Sequence, residues 1–204
     1  ASIGTGNQTP GGHAELMLAH AGATQLIPDG LSYEEAAPLF CAGYTVWGGL
    51  RLAEPRPDER VAVVGIGGLG HLALQYSKAA GFRTIAVTKT PDKVALSKRL
   101  GADDVVADGA ALLAAGGADV LLATANSFSV VAELAKGMRP DGRIVLMGFA
   151  AEPLVLPVED IFFKRLRVIG SLQNGREYLH ECLDLAARGK VKPLVETYPL
   201  AKVH

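Results

Sequence analysis

The sequence predicts an α/β fold, a doubly wound, six-stranded parallel sheet, on three observations. Short β-branched runs alternate with helical stretches from Val61 onward, six such runs occur, and glycine or proline falls where the alternation needs a boundary. The first forty-odd residues differ in kind. They are punctuated by Gly and Pro around short apolar pieces, Ala14 to Ala19 and Ala23 to Ile27, and read as a remnant of another domain. A helix follows, and Ala53 to Glu59, with two prolines and three acids, leads from it into the first strand, Val61 to Val64. Next come a helix over Leu69 to Ala80, a strand at Thr84 to Val87, a helix over Asp92 to Leu100 and a short strand at Val105-Val106. Strands at Val120 to Ala123, Ile144 to Met147 and Leu166 to Ile169, with helices over Val130 to Met138 and Tyr178 to Arg188, complete the series. Gly81 and Gly101 sit where two helices end, and Thr90-Pro91-Asp92 reads as an N-cap, a first helical proline and an acid matched to the helix dipole. Pro140-Asp141-Gly142 reads as a turn before a buried strand. The expected division is 1–45 as the remnant, 46–190 as the sheet domain and 191–204 as a return segment.

Composition excludes several classes. Twenty basic residues against 21 acidic ones leave a net charge of -1 with no block of like charge, which argues against nucleic acid as a main partner. Mean hydropathy is +0.23, yet the longest apolar stretch, Ala110 to Ala125, is broken by Gly116, Gly117 and Asp119, so no membrane-spanning helix is expected. Two cysteines, Cys41 and Cys182, are too few for a disulfide framework, and the N-terminus carries no signal-peptide pattern, so a cytoplasmic address is expected. The chain starts at Ala1 and stops at His204 without a closing signal, and both ends read as cut.

Gly65-Ile66-Gly67-Gly68-Leu69-Gly70 follows an apolar strand at once and opens a helix. In a dinucleotide loop Gly65 would make the tight turn, Gly67 would let backbone approach a pyrophosphate, and Gly70 would allow close packing of helix on strand. The helix N-terminus would add amides and partial positive charge. This context predicts a Rossmann-type dinucleotide-binding domain; a glycine-rich turn that only packs is the plainer alternative. The end of the second strand bears on the cofactor, because an acid there would accept from a free ribose 2′-hydroxyl. Thr88 stands there instead, followed by Lys89, with Lys93 one helical turn on. A hydroxyl and ammonium groups suit a 2′-phosphate, so NADP is expected ahead of NAD.

The chain resembles the zinc-dependent medium-chain alcohol dehydrogenase family, near its bacterial and cinnamyl alcohol dehydrogenase-like branches. The resemblance rests on Gly11 to Glu15, Glu34 to Leu39, Cys41 to Thr45, Gly65 to Ala73, Phe163 to Ser171 and Gly189 to Pro193, in family order. It implies that the first segment is the remnant of a GroES-like catalytic domain, that Cys41 is a thiolate ligand of a catalytic zinc, and that Thr45 hydrogen-bonds near the cofactor. It also implies that Gly67, Gly68 and Leu69 meet the pyrophosphate and that backbone around Ala125, Gly148, Phe149, Ser171 and Leu172 lines the nicotinamide side. The substrate would be an alcohol or aldehyde. A catalytic zinc needs about three protein ligands, and the family's upstream cysteine and Gly-His-Glu segment are missing, as is its four-cysteine structural lobe. None of His13, His20, His71, His180 and His204 has suitable spacing to Cys41. The expectation is a partial chain that does not turn over alone. Two alternatives stay open: a zinc-free quinone reductase-like relative, and a module that binds dinucleotide without chemistry. The resemblance and an apolar edge strand together predict a homodimer through Leu166 to Leu172.

Overall fold

A computed structural model describes residues 11–172 and 175–202. Positions 1–10 of the expected first segment, and 203–204 with the candidate His204, lie outside the described residues. A capping box opens the short helix α1 (Tyr33–Ala36): the Ser32 hydroxyl accepts the Glu35 N–H at 3.2 Å and the Glu35 carboxylate accepts the Ser32 N–H at 3.3 Å. Helix α2 (Ala42–Leu52) follows. Strand and helix then alternate through β1 (Arg60–Val64), α3 (Gly70–Ala79), β2 (Arg83–Val87), α4 (Pro91–Arg99), β3 (Asp104–Val106) and α5 (Gly109–Ala114). The second half comprises β4 (Ala118–Ala123), α6 (Phe128–Leu134), β5 (Met138–Leu146), α7 (Val158–Lys164), β6 (Arg167–Gly170) and α8 (Arg176–Ala187).

All five strand pairings are parallel, and the sheet order is β3-β2-β1-β4-β5-β6. The chain therefore builds outward from β1 to one edge, crosses back, and builds outward from β4 to the other, which is the doubly wound arrangement the alternation predicts. Both faces are covered. Val61, Val63, Val120 and Leu122 point into a core with Leu50, Leu72, Tyr76 and Leu183 from α2, α3 and α8. Their neighbours Ala62, Val64, Leu121 and Ala123 point into a second core with Leu112, Val131 and Leu134 from α5 and α6. This is why the central strands read as unbroken apolar runs.

The boundaries depart from expectation in a few places. Gly81 and Gly101 do end α3 and α4, in left-handed conformations at φ +89° and +92°. The stretch Ala110 to Ala125 contains an unexpected helix, α5, and Gly116 and Gly117, both at positive φ, turn the chain from it into β4. The helix expected over Val130 to Met138 runs from Phe128 to Leu134, a 3₁₀ turn follows, and Met138 already belongs to β5. Pro140-Asp141-Gly142 is a bulge within β5 rather than a turn before it. Pairing with β4 jumps from Ala118 opposite Met138 to Val120 opposite Arg143, and Asp141 takes φ +63°. Helix α7 was not visible in the sequence pattern, because none of its residues is buried.

The bulge brings a charge inside. Arg143, 2% exposed, donates through its guanidinium to both oxygens of Glu59 and, at 3.0 Å, to the carbonyl of Ala53. The proline-rich entry to β1 is thereby anchored to β5, and Arg143 holds the Glu59 carboxyl below the usual carboxylate range. Among the described residues no helix is long and apolar enough to cross a membrane.

Candidate functional site

Strand order places the site. β1 and β4 are neighbours whose following helices cover opposite faces of the sheet, so a crevice opens at their carboxyl ends, where a doubly wound sheet binds its ligand. Gly65 leaves β1 at φ +91°, and a side chain there would meet the backbone of Ala125, which leaves β4, at 2.6 Å. Gly70 starts α3, and a methyl group on it would overlap the Gly65 carbonyl oxygen. Both glycines are therefore required by packing. Gly67 and Gly68 differ, since a methyl on either would find nothing within 4 Å. Their space is open, forming a shallow cradle above the first turn of α3.

Gly67 donates its own N–H back to the Gly65 carbonyl at 2.8 Å. Gly67 thus contributes bare backbone, and the His71, Leu72 and Ala73 amides already bond the Gly67 and Leu69 carbonyls at 2.9–3.1 Å, so the amides offered to a ligand are those of Gly68, Leu69 and Gly70 at the start of α3. Thr124, one residue past β4, closes the loop from below: its hydroxyl lies 2.9 Å from the Val64 carbonyl and 2.7 Å from that of Gly65. Sequence reasoning missed Thr124, because its role depends on β4 lying beside β1.

The adenosine-side candidates gather at the end of β2. Thr88 accepts the Thr90 N–H at 3.3 Å and bonds β3 through its own N–H, at 2.9 Å from the Val106 carbonyl. Beside it opens a cavity of about 520 Å³ lined by Val64, Val87, Thr88, Lys89, Asp108 and Glu133. Lys93 lies on α4, one turn beyond. The Lys89 ammonium is 3.9 Å from Asp108, whose other oxygen caps α5 by accepting the Ala111 N–H at 2.9 Å. That amide bond holds the Asp108 carboxyl below its ordinary value. Asp108 and Glu133 are two further acids on this wall, unseen in the sequence because they sit after β3 and on α6.

On the other side, Gly148 follows β5 and packs so closely on Ala125 that a methyl would overlap its carbonyl oxygen. Ser171, 8% exposed, and Leu172, 79% exposed, follow β6; Phe149 is exposed. Helix α2 lies across these ends: a methyl on Gly49 would come within 3.3 Å of the Ser171 hydroxyl. Thr45, one turn into α2, is 7% exposed, and its N–H bonds the Cys41 carbonyl at 2.9 Å. Cys41 stands at the N-cap position of α2 without a side-chain capping bond and is exposed. Cys182 is buried; its thiol is pushed up to about 12, chiefly by burial, and is chemically inert.

The donor set does not complete a zinc site. Among the described residues no group of three or more His, Cys, Asp or Glu side chains is placed to hold a metal. His20 instead accepts the Gly22 N–H, and His71 is taken up by backbone partners.

Comparison with known proteins agrees with this geometry. The family model described as zinc-binding dehydrogenase matches residues 68–188. An alcohol dehydrogenase of Geobacillus stearothermophilus is 41% identical over 205 residues, covering 98% of this chain and 61% of its own length. The crystal structure of a putative alcohol dehydrogenase from Sinorhizobium meliloti 1021 superposes with a TM-score of 0.90 at 28% identity, over 100% of this chain and 62% of that one. The alcohol dehydrogenase of the archaeon Aeropyrum pernix gives a TM-score of 0.88 at 30% identity, over 98% and 61%. The chain thus spans about three-fifths of the length of these relatives, and with its glycine cradle at the β1–β4 crevice it belongs to the zinc-binding, medium-chain alcohol dehydrogenase family.

Proposed function

We propose that this chain is the cofactor-binding part of an alcohol dehydrogenase that moves hydride between NADP(H) and an alcohol or aldehyde. The observation that carries the reading is the open cradle at Gly67 and Gly68, built where the sheet order reverses and floored by glycines that packing requires. The amides of Gly68, Leu69 and the α3 N-terminus would hold the pyrophosphate by hydrogen bonds and helix dipole. A bound nicotinamide supplies the hydride acceptor or donor. Thr45 at the start of α2, and the backbone of Ala125, Gly148, Phe149, Ser171 and Leu172, would orient its ring. Thr88, Lys89 and Lys93 support NADP over NAD, because they offer a hydroxyl and positive charge where a 2′-hydroxyl reader would place an acid.

Cys41 would serve as one zinc ligand beside donors that the described residues do not supply. On this reading 1–45 and 191–204 belong with the catalytic part and 46–190 with the cofactor part, in a cytoplasmic enzyme. The 204 residues alone would bind dinucleotide without turning over alcohol. An alcohol-oxidation assay of the isolated chain with added zinc checks that, and sustained turnover would overturn it.

The cofactor reading is tested by fluorescence titration with NADPH and with NADH. NADPH should bind more tightly, and Lys89→Ala should weaken it roughly tenfold, the usual worth of a charge-assisted hydrogen bond, while sparing NADH. Tighter NADH binding would retain the cradle and overturn the assignment of Thr88 and Lys89; binding of neither would remove the cradle reading itself.

A further inference from the structure

One side chain joins the glycine loop to the segment by which the chain leaves the sheet domain. His71, in the first turn of α3 and 7% exposed, accepts the Leu194 N–H at its Nε2, 3.2 Å away. That bond puts the ring proton on Nδ1, which donates to the Gly67 carbonyl at 3.1 Å. One turn further along α3, Gln75 brackets Lys192: its amide nitrogen donates to the Lys192 carbonyl at 3.0 Å and its oxygen accepts the Lys192 N–H at 2.9 Å. Residues 191–194 belong to no helix or strand, and these side chains of α3 hold them in place.

The Gly67 carbonyl shares a planar trans peptide with the Gly68 N–H, so the two point in opposite directions. The Gly67 carbonyl takes two bonds from His71, one from its backbone N–H at 3.0 Å and one from Nδ1, and, drawn toward α3 by both, it leaves the Gly68 amide facing the open side of the cradle. Movement of the His71 ring would take one of the two bonds from the Gly67 carbonyl, loosening the Gly68 amide, and would free the Leu194 N–H on the other side.

We propose that His71 is a positioning residue that couples the dinucleotide loop to the exit segment, so that a dinucleotide seated over Gly67 and Gly68 and a docked Lys192–Leu194 stabilise each other. The proposal rests on the cofactor reading above. It also requires a neutral ring, since a second proton would set Nε2–H against the Leu194 N–H. Burial keeps the ring below its ordinary value, and the charge of Lys93 on α4 adds to that. Lys192, on the exit segment, is 4.0 Å from Glu35 of α1.

Two substitutions separate the arms. The amide nitrogen of His71→Asn falls near the Nδ1 position and retains the Gly67 bond while falling short of Leu194. The side-chain oxygen of His71→Gln reaches the Nε2 position and retains Leu194 while giving up Gly67. Amide exchange of the full chain, followed at Leu194 with and without saturating NADPH or NADH at pH 7.5, should show protection rising with dinucleotide. His71→Asn should remove that rise and lower apo protection by roughly fivefold, about one hydrogen bond's worth. His71→Gln should retain apo protection and bind dinucleotide roughly fivefold more weakly. In the wild type the rise should fade as pH is lowered below 6.5 and the ring takes up its second proton. If dinucleotide binds and Leu194 protection ignores it, the coupling is overturned and the cofactor reading stands. If titration shows no dinucleotide binding by the wild type, the cofactor reading fails and takes the coupling with it. Should the Asn variant not fold, the Gln variant and the wild-type pH series decide the question alone.

Discussion

Single residues divide the glycine loop into parts that hold the fold and parts that leave room. Gly70→Ala would drive a methyl into the Gly65 carbonyl and should cost on the order of 1–3 kcal/mol, seen as a lower melting temperature. Gly68→Ala meets open space and should leave melting unchanged while weakening dinucleotide binding at least about tenfold, the range expected when a ligand is pushed off an amide it bonds. Equal melting losses in the two variants would remove the distinction between floor and cradle. The spacing of these glycines was readable from the sequence because each role follows from backbone geometry next to an apolar strand. Thr124, Asp108 and Glu133 were not, since nothing local to them says that β4 lies beside β1 or that the end of β3 faces α6. His71 was read as part of the cofactor helix, but its tie to Leu194 spans 123 residues and leaves no sequence trace. Its lowered pKa gives a sign to acid sensitivity. The unfolded chain takes up the proton near pH 6.5 and the folded chain only at lower pH. The stability His71 contributes is therefore present above 6.5 and lost as pH falls through the folded value. Melting curves should show the wild type losing more between pH 7.5 and 5.5 than His71→Gln does.

At the level of elements, the alternation of strand and helix was readable because central parallel strands must be apolar on both faces, which Val61–Val64 and Val120–Ala123 are. What escaped was shaped by contacts outside the run. α5 hid in an apolar stretch whose two glycines, not its composition, separate helix from strand, and α7 has no buried stripe to give it a period. The bulge in β5 escaped because Pro140-Asp141-Gly142 has turn composition, whereas its effect is to aim Arg143 at Glu59 and Ala53. That pair fixes the entry of β1, and with it the direction from which the glycine loop departs. Breaking it leaves a buried charge without its partner. Arg143→Met, which strands Glu59, should destabilise by about 3–5 kcal/mol in denaturant unfolding, and the double variant Arg143→Met with Glu59→Leu should recover much of that. No recovery in the double variant would show that the pair's worth lies in its geometry rather than its charge. Because the folded Glu59 carboxyl is held below 4.5, this contribution is complete at neutral pH and lost as pH falls below that value, separate from the His71 effect.

At the scale of the whole molecule the two edges of the sheet are unlike. β3 is three residues long and guarded by charge, with Asp104 bonded to Arg83 and ion-paired with Arg60, which discourages another strand from adding there. β6 follows Arg167 with Val168, Ile169 and Gly170, and α7 beside it in sequence leaves Phe162 and Phe163 each 73% exposed. An edge strand that carries one charge, Arg167, at its start and none over Val168 to Gly170, next to exposed aromatic rings, is a surface open to pairing, and self-pairing of β6 about a twofold axis would extend the sheet across two copies while burying apolar side chains. We therefore expect a dimer through Leu166 to Leu172. Val168, opposite Ile144 of β5 and 42% exposed, is the place to interrupt it. Val168→Lys would set like charges near the twofold axis without entering either core. Sedimentation should give a dimer for the wild type and a monomer for the variant, with a small change in melting at most when compared at low concentration, where association contributes little. A wild type that stays monomeric at high concentration, or a variant that pairs as well, would move the interface away from this edge and leave Phe162 and Phe163 to be covered by something other than a second copy.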